Sequence, residues 1–411
     1  MDLSHPFPAG LAAGSRWVWR ARHSGEDLLR ARSSEYRDPY ARDRARLLHA
    51  AAARRLMGKS QVPGLLQTML PRSWQTHVLE VSQLSRGMLR ALQHLHAHGE
   101  PWLDSLPDVN LLEAIALGRS LGHAPFGAAG DETLAVLMQP HGGFHPGWQA
   151  LRLVQWLEPH TEGHGLDLTR RTLMGLLHRA MLALPTPGRD AACLAWQEWL
   201  LQPLSDRDRQ VLLGPVRPAA ASQALTLDAS LVRLAEAVAQ AVHGLDDALA
   251  AGAVRREEWA RVQPEPVWAE AVALDPDRLA EALFGGAGPA RRGAIGTLVN
   301  AMLISVEVEA DATLDEPLLH HRAQWIAPAD AFLAQLQAVV TQAWTRWPPA
   351  QAAASDGRQA LQRLWHRAWT DPALLGLPAH DSVPPDAWAR LLCDRLSGLT
   401  DTAALHLAGV G

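Results

Sequence analysis

The chain has 411 residues, 48% apolar and 20% charged, which suffices for a sizeable core and excludes global disorder. Its formal net charge of −5 lacks the broad basic footprint of a nucleic-acid binder, and its two cysteines, Cys193 and Cys393, can neither staple a fold nor build a Cys-rich zinc site. No run of 18 apolar residues and no basic-then-apolar leader occurs, so the expectation is a reduced, cytoplasmic protein that does not span a membrane.

Ala, Leu and Arg dominate, whereas Tyr and Phe number only 2 and 5, a composition that favours helices over a sandwich or barrel. Residues 1–36, with Pro6, Pro8 and scattered charges, read as an N-terminal arm. Asp38-Pro39 is an N-cap followed by Pro at the first helical position, and Leu47, Leu48, Ala51 and Leu56 recur at helical spacing after it. A second helix is predicted from Trp74 to Ala97, with Val78, Val81, Leu84, Met88 and Leu92 on one face. A third is predicted over 109–121, ending at Gly122.

Residues 123–147, rich in Gly, Pro and His, have the composition of a functional loop. Helices resume at 148–158 and 169–183, and proline pairs cut the remainder into helical segments. The Ala/Gln-rich stretch 349–357 is the best candidate boundary. The expected organisation is therefore an arm (1–36), a helical core (37–348) and a C-terminal helical segment (349–411) packed on that core.

Chemistry-bearing motifs are few. The sequence has no Walker loop, no dinucleotide-binding glycine pattern and no Gly-x-Ser-x-Gly elbow. His94 and His98 share a helix face, but a solvated helix end is the default reading, and His320-His321 is similarly bland. The Arg-rich segment 37–61 reads either as a solvated helix face or as an anion site. It holds Lys59, the only lysine in the chain, and a compact ammonium is not equivalent to a guanidinium at a phosphate site.

Several ordered motifs carry a family resemblance. Arg37-Asp38-Pro39-Tyr40, Arg42-Asp43-Arg44, Leu47-Leu48-His49, Arg54-Arg55-Leu56 and Gly58-Lys59-Ser60-Gln61-Val62 resemble the opening signature of the bacterial deoxynucleoside triphosphate triphosphohydrolases, the dGTPase family of HD-domain proteins. Thr76-His77-Val78-Leu79-Glu80-Val81 resembles that family's first metal-ligand helix, and Gly122-His123-Ala124-Pro125-Phe126-Gly127 the loop after its His-Asp dyad. Leu166-Asp167-Leu168-Thr169 with Thr172-Leu173, Leu245-Asp246-Asp247, and Gly398-Leu399-Thr400-Asp401 with Ala404-Leu405 also match in order. The similarity spans Arg37 to Leu407.

The resemblance implies an all-α, HD-domain-type helical bundle with additional C-terminal helices, holding one divalent metal between a His, an adjacent His-Asp pair and a later Asp. That metal would orient water and the α-phosphate so that triphosphate leaves as a unit. Here His77 keeps the first ligand position, but Arg119-Ser120 stands where His-Asp is expected. A guanidinium, always protonated, cannot ligate a dication and repels it. Glu236 replaces the later Asp. Ala128 replaces the catalytic His, with Asp131 as the acid three residues on, and Gln240 and Gly244 stand at the sugar-contacting Tyr and Asp positions.

Taken with these replacements, the resemblance implies a homologue with a lost metal site and no resident cofactor, regulatory or structural, forming a homo-oligomer or a hetero-oligomer with an active relative. A nucleotide triphosphate would be held through Arg54, Arg55, Lys59 and Gln61. Arg119 pairing with Glu236 would neutralise the centre. Two rivals remain. One is an active, Mg- or Mn-dependent enzyme releasing deoxynucleoside and triphosphate, its metal shell rebuilt with His123 or His145. The other is single-stranded nucleic-acid binding by the basic segment with Trp stacking.

Overall fold

α1 (Pro39–His49) starts where Asp38 predicts, the Asp38 carboxylate accepting the amides of Tyr40 at 2.8 Å and Ala41 at 2.9 Å. The computed structural model describes residues 18–25, 36–67, 72–96, 100–177, 191–213, 226–286, 288–311, 313–379 and 383–410. α2 (Ala51–Arg55) comes after an extended Ala50, and its first amides are capped from afar by Glu158, at 2.9 Å from Ala51 and 2.7 Å from Ala52. α3 (Trp74–Leu95) is capped by Ser73, and the predicted face of Val78, Val81, Leu84, Met88 and Leu92 is buried in full. α4 (Val109–Arg119) is capped by Asp108 and ends one residue before Ser120.

The Gly/Pro/His-rich stretch departs from expectation. Much of 123–147 is helical, as α5 (Gly127–Met138), because Ala128, Ala129, Leu134 and their neighbours are helix formers once the chain has turned. The turn itself uses left-handed backbone at Phe126 (φ 68°) and Gly127 (φ 56°). A helix at Pro146–Arg152 runs into a π-helical turn at Leu153–Leu157, close to the predicted 148–158. α6 (Arg170–Leu176) occupies the first part of the predicted 169–183; residues 178–183 lie outside the described ones. α7 (Leu227–Val238) continues into a second π-helical turn, Ala239–His243.

Among the described residues, one two-stranded antiparallel ribbon interrupts the helices: β1 (Val306–Ala310) pairs with β2 (His321–Trp325), Val306 opposite Trp325 and Ala310 opposite His321. After α8 (Ala327–Arg346), the stretch 349–357 proves to be helix interior. It lies within α9 (Pro348–Ala368), where Pro348 and Pro349 occupy the tolerant first turn and the Ala/Gln run propagates the helix. α10 (Pro385–Ser397) and α11 (Asp401–Ala408) complete the chain. Among the described residues no helix is long and apolar enough to cross a membrane.

Among the described residues, two apolar clusters form. The larger is built from α1, α3, α4, α6 and α7 and includes Leu47, Met88, Leu111, Ile115, Leu173 and Leu231. The second joins α5 to α9, α10 and α11 through Phe126, Leu134, Met138, Leu361, Trp365 and Leu392. Within the 1–36 segment, Trp19 and Arg22 are buried, unlike an exposed arm. Arg22 pairs with Asp43 at 2.7 Å, both side chains fully buried, and Asp43 also accepts the Thr169 amide at 2.9 Å and the Thr172 hydroxyl at 2.7 Å. Arg171 and Asp228 then clamp α6 to α7 by a bidentate pair, both bonds 2.8 Å. These bonds fix the start of α7 to α6 and, through Asp43, to α1.

Candidate functional site

The centre implied by the resemblance lies where α3, α4, α7 and the loop before α5 converge. His77, on the first turn of α3, is 1% exposed, and neither of its ring nitrogens has a hydrogen-bond partner. Burial pushes its pKa down to about 4, so the ring is neutral at physiological pH. Trp74, one turn earlier, meets His77 edge to face at a centroid distance of 5.4 Å and stacks on His123 at 3.9 Å.

Arg119 and Glu236 face each other across α4 and α7, with Arg119 Nη2 3.2 Å from Glu236 Oε2. Burial alone pushes the Glu236 carboxyl up, but Arg119 and then His77 and His123 outweigh it and hold the group below its ordinary value. Glu236 is therefore an anion committed to a guanidinium. Ser120 is buried at the end of α4, and Ala128 is exposed on the first turn of α5. Gln240 is exposed on the π-helical turn, and Gly244 lies at its end.

These residues do not fit a divalent cation. Of the four expected ligand positions only His77 offers a free donor; Glu236 is paired, and Arg119 adds a positive charge. The loop histidines do not supply replacements through Nδ1. His123 Nδ1 lies 2.7 Å from Asp131 Oδ2, and His145 Nδ1 accepts the Gly147 amide at 3.1 Å. Asp131 also accepts the Ala124 amide at 2.8 Å, so it fastens the loop. Among the described residues no group of three or more His, Cys, Asp or Glu side chains is placed to hold a metal ion.

The expected nucleotide contacts separate. Lys59 is buried and donates to the carbonyl oxygens of His123 at 2.5 Å and Ser397 at 2.6 Å. Its ammonium serves the fold, because the chain around Ser60 pairs with Ser73 and turns the side chain inward. Arg54 is exposed at the end of α2. Arg55, 3.5 Å from Glu158, is held by the carboxylate that caps the same helix. Gln61 also borders the loop, since a Cβ on Gly127 would collide with the Gln61 carbonyl.

Sequence reasoning missed a polar network beside His77. Arg72 lies 3.0 Å from Glu80 and also pairs with Asp247, and His243 Nδ1 is 2.9 Å from Glu80. Burial raises the Asp247 carboxyl to about 6, with Arg72 opposing. Glu80 and Asp247 each fall inside one of the family-like motifs, the signal that could have paired them. His98 lies outside the described residues; His320 is tied to the Leu314 carbonyl at 2.8 Å. A surface concavity lined by Trp19, Tyr40, Asp108, Arg171, Asp228 and His321 lies at the other end of α7, about 12 Å along the helix from Glu236.

The mainly helical scaffold converges on a buried histidine beside a turn-forming Pro-Phe-Gly loop, and whole-chain comparisons supply the class of protein. No protein-family model matches the sequence. A deoxyguanosinetriphosphate triphosphohydrolase-like protein of Shewanella halifaxensis is 33% identical, over 95% of each chain. Relatives with equivalent names from Vibrio cholerae and Shewanella oneidensis are 32% and 33% identical, over 95% of this chain and 96% of theirs. The chain belongs to the deoxyguanosinetriphosphate triphosphohydrolase-like family.

Proposed function

We propose that this chain is a family member that binds a nucleoside triphosphate without hydrolysing it, acting as a regulatory or structural homologue in a homo-oligomer or beside an active relative. The observation that carries the reading is the 3.2 Å Arg119–Glu236 pair, which occupies two of the positions where the family resemblance implies metal ligands. A second supports it: Ala128 has no proton to move, and Asp131 is engaged by His123 and the Ala124 amide. Triphosphate contacts would come from Arg119 and from Gln61, with exposed Arg54 contributing only beyond α2 and Arg55 engaged by Glu158.

The test has three readouts. Elemental analysis of the purified protein should return no stoichiometric Mn, Zn, Fe or Ni, and no dNTP should release triphosphate. dGTP should nonetheless raise the melting temperature. One metal per chain, with turnover abolished by His77→Ala, establishes the active enzyme instead. For assembly, light scattering should exceed the 44.7 kDa monomer mass; a monomer across a concentration series removes the self-assembly form of the role.

A further inference from the structure

We infer that Arg119 takes the place of a divalent cation: its guanidinium makes the centre a metal-independent receptor for phosphate, and Glu236 is the internal anion that an incoming phosphate displaces. The inference rests on the reading that a triphosphate binds here, and it names what binds it.

Three observations support it. The Arg119 Nε is buried and has no hydrogen-bond partner, although Nη2 of the same group meets Glu236. Arg233, one turn before Glu236 on α7, is within electrostatic reach of both residues, and its Nε is likewise buried without a partner. At the floor of the centre, His77 is 1% exposed with both ring nitrogens unpartnered. Asp330 also faces Arg233, and Glu80 faces His77, but neither is a hydrogen-bond partner of these orphaned nitrogens. Buried polar groups are nearly always bonded, so a cluster of unpartnered ones beside Glu236 points to a bound group.

The donor set selects the chemistry of that group. Guanidinium nitrogens only donate, and a neutral imidazole offers one N–H, whereas phosphate oxygens only accept. A guanidinium fork also matches two phosphate oxygens. A divalent cation would meet Arg119 as a like charge and could recruit Glu236 only by breaking its ion pair. Glu236, already on Nη2, resembles the ligand in charge and in acceptor geometry, so the two compete for one group.

The probe is inorganic triphosphate, titrated calorimetrically in EDTA into the full chain and into the Arg119→Gln and Glu236→Gln variants, each checked for an unchanged circular dichroism spectrum. Arg119→Lys, which keeps the charge and loses the fork, covers the case in which Arg119→Gln fails to fold. The wild type should bind in EDTA. Affinity should fall about tenfold or more in the Arg119 variants and rise about tenfold in Glu236→Gln. A further arm titrates Mn²⁺ alone: the wild type should take none, and the double variant R119H/S120D should gain one site per chain.

Triphosphate binding that disappears in EDTA, survives both Arg119 variants, or weakens in Glu236→Gln overturns the inference while leaving nucleotide binding itself standing. One Mn²⁺ bound to the wild type also overturns it. Binding to Glu236→Gln alone also overturns it, because phosphate then does not displace Glu236 in the natural chain. Binding to neither overturns both.

Discussion

The Lys59 ammonium donates to the Ser397 carbonyl at 2.6 Å, joining positions 338 residues apart in the sequence. Its second bond, to His123, ties both ends of that link to the loop beside the candidate centre. Next to it, Asp401 accepts the Ser60 amide at 3.0 Å and the Phe126 amide at 2.9 Å. The chain's only lysine and the C-terminal Thr-Asp are thus one structural joint.

Burial, and secondarily Arg55, pushes the Lys59 pKa down to about 7, well below the usual lysine value of about 10.4. Between those values the unfolded chain binds more protons at this site than the folded one, so the Lys59 contribution makes stability rise with pH over that window. Lys59→Met keeps the stem and removes the titrating group. Urea midpoints at pH 7, 8.5 and 9.5 should show the wild type gaining on the variant as pH rises. Parallel pH dependences for the two proteins refute this assignment. The variant should also be less stable at pH 7 by about 1–3 kcal/mol, since two buried carbonyls lose their donor.

Asp43 is the centre of a second buried polar junction. It accepts the Thr169 amide and both the Thr169 and Thr172 hydroxyls while pairing with Arg22. Asp43→Ala leaves Arg22 as a buried charge without its carboxylate and should cost about 3–5 kcal/mol. The double replacement Arg22→Met with Asp43→Leu should cost much less than Asp43→Ala alone. Equal losses in thermal melts of the two variants would mean that the ion pair is not the source of the effect.

Gly357 lies inside the Ala/Gln-rich stretch of α9, at its closest approach to the loop. A Cβ there would overlap Phe126 Cγ, and Phe126 has little room to retreat because its backbone is left-handed and its amide is held by Asp401. Gly357→Ala should therefore destabilise the protein by about 1–3 kcal/mol despite the better helix propensity of alanine. Combined with Phe126→Ala, the loss should be smaller than the sum of the two single losses. Simple additivity in the double-mutant cycle would exclude the contact as the cause.

Legibility tracked the range of the forces involved. Caps such as Asp38 and an amphipathic face such as Val78–Leu92 are local, and both stood in the sequence as they stand in the fold. The turn into α5 was hidden because Gly and Pro counted as loop, although Gly122 and Gly127 serve close backbone approach: a Cβ at Gly122 would overlap the Pro146 carbonyl. The stretch 349–357 stands out by its Ala/Gln-rich composition as a boundary, whereas in the fold the same residues propagate α9. At the centre, the opposition of Arg119 and Glu236 could be anticipated from two motif positions. The inward turn of Lys59 could not, since it depends on Ser397, far along the chain.

Sugar recognition should be weak in this protein. The resemblance implies a Tyr and an Asp as sugar contacts, and here Gln240 is exposed on the π-helical turn while Gly244 offers no side chain at all. Strong selection against a wrong sugar needs buried hydrogen-bond partners left unpaired, and neither position supplies one. dGTP and GTP should therefore stabilise the fold to the same degree, within about twofold in apparent affinity. Inorganic triphosphate should approach both, because the phosphate chain would supply most of the contact. Gln240→Tyr, at an exposed position with room for a ring, should introduce a preference among the nucleosides, whereas Gly244→Asp should be poorly tolerated because a Cβ there lies 3.1 Å from Val340 Cγ1. Thermal-shift titrations of the wild type and of Gln240→Tyr with the three ligands decide the matter. A wild-type preference for dGTP over GTP of more than tenfold would place sugar recognition on residues other than these two.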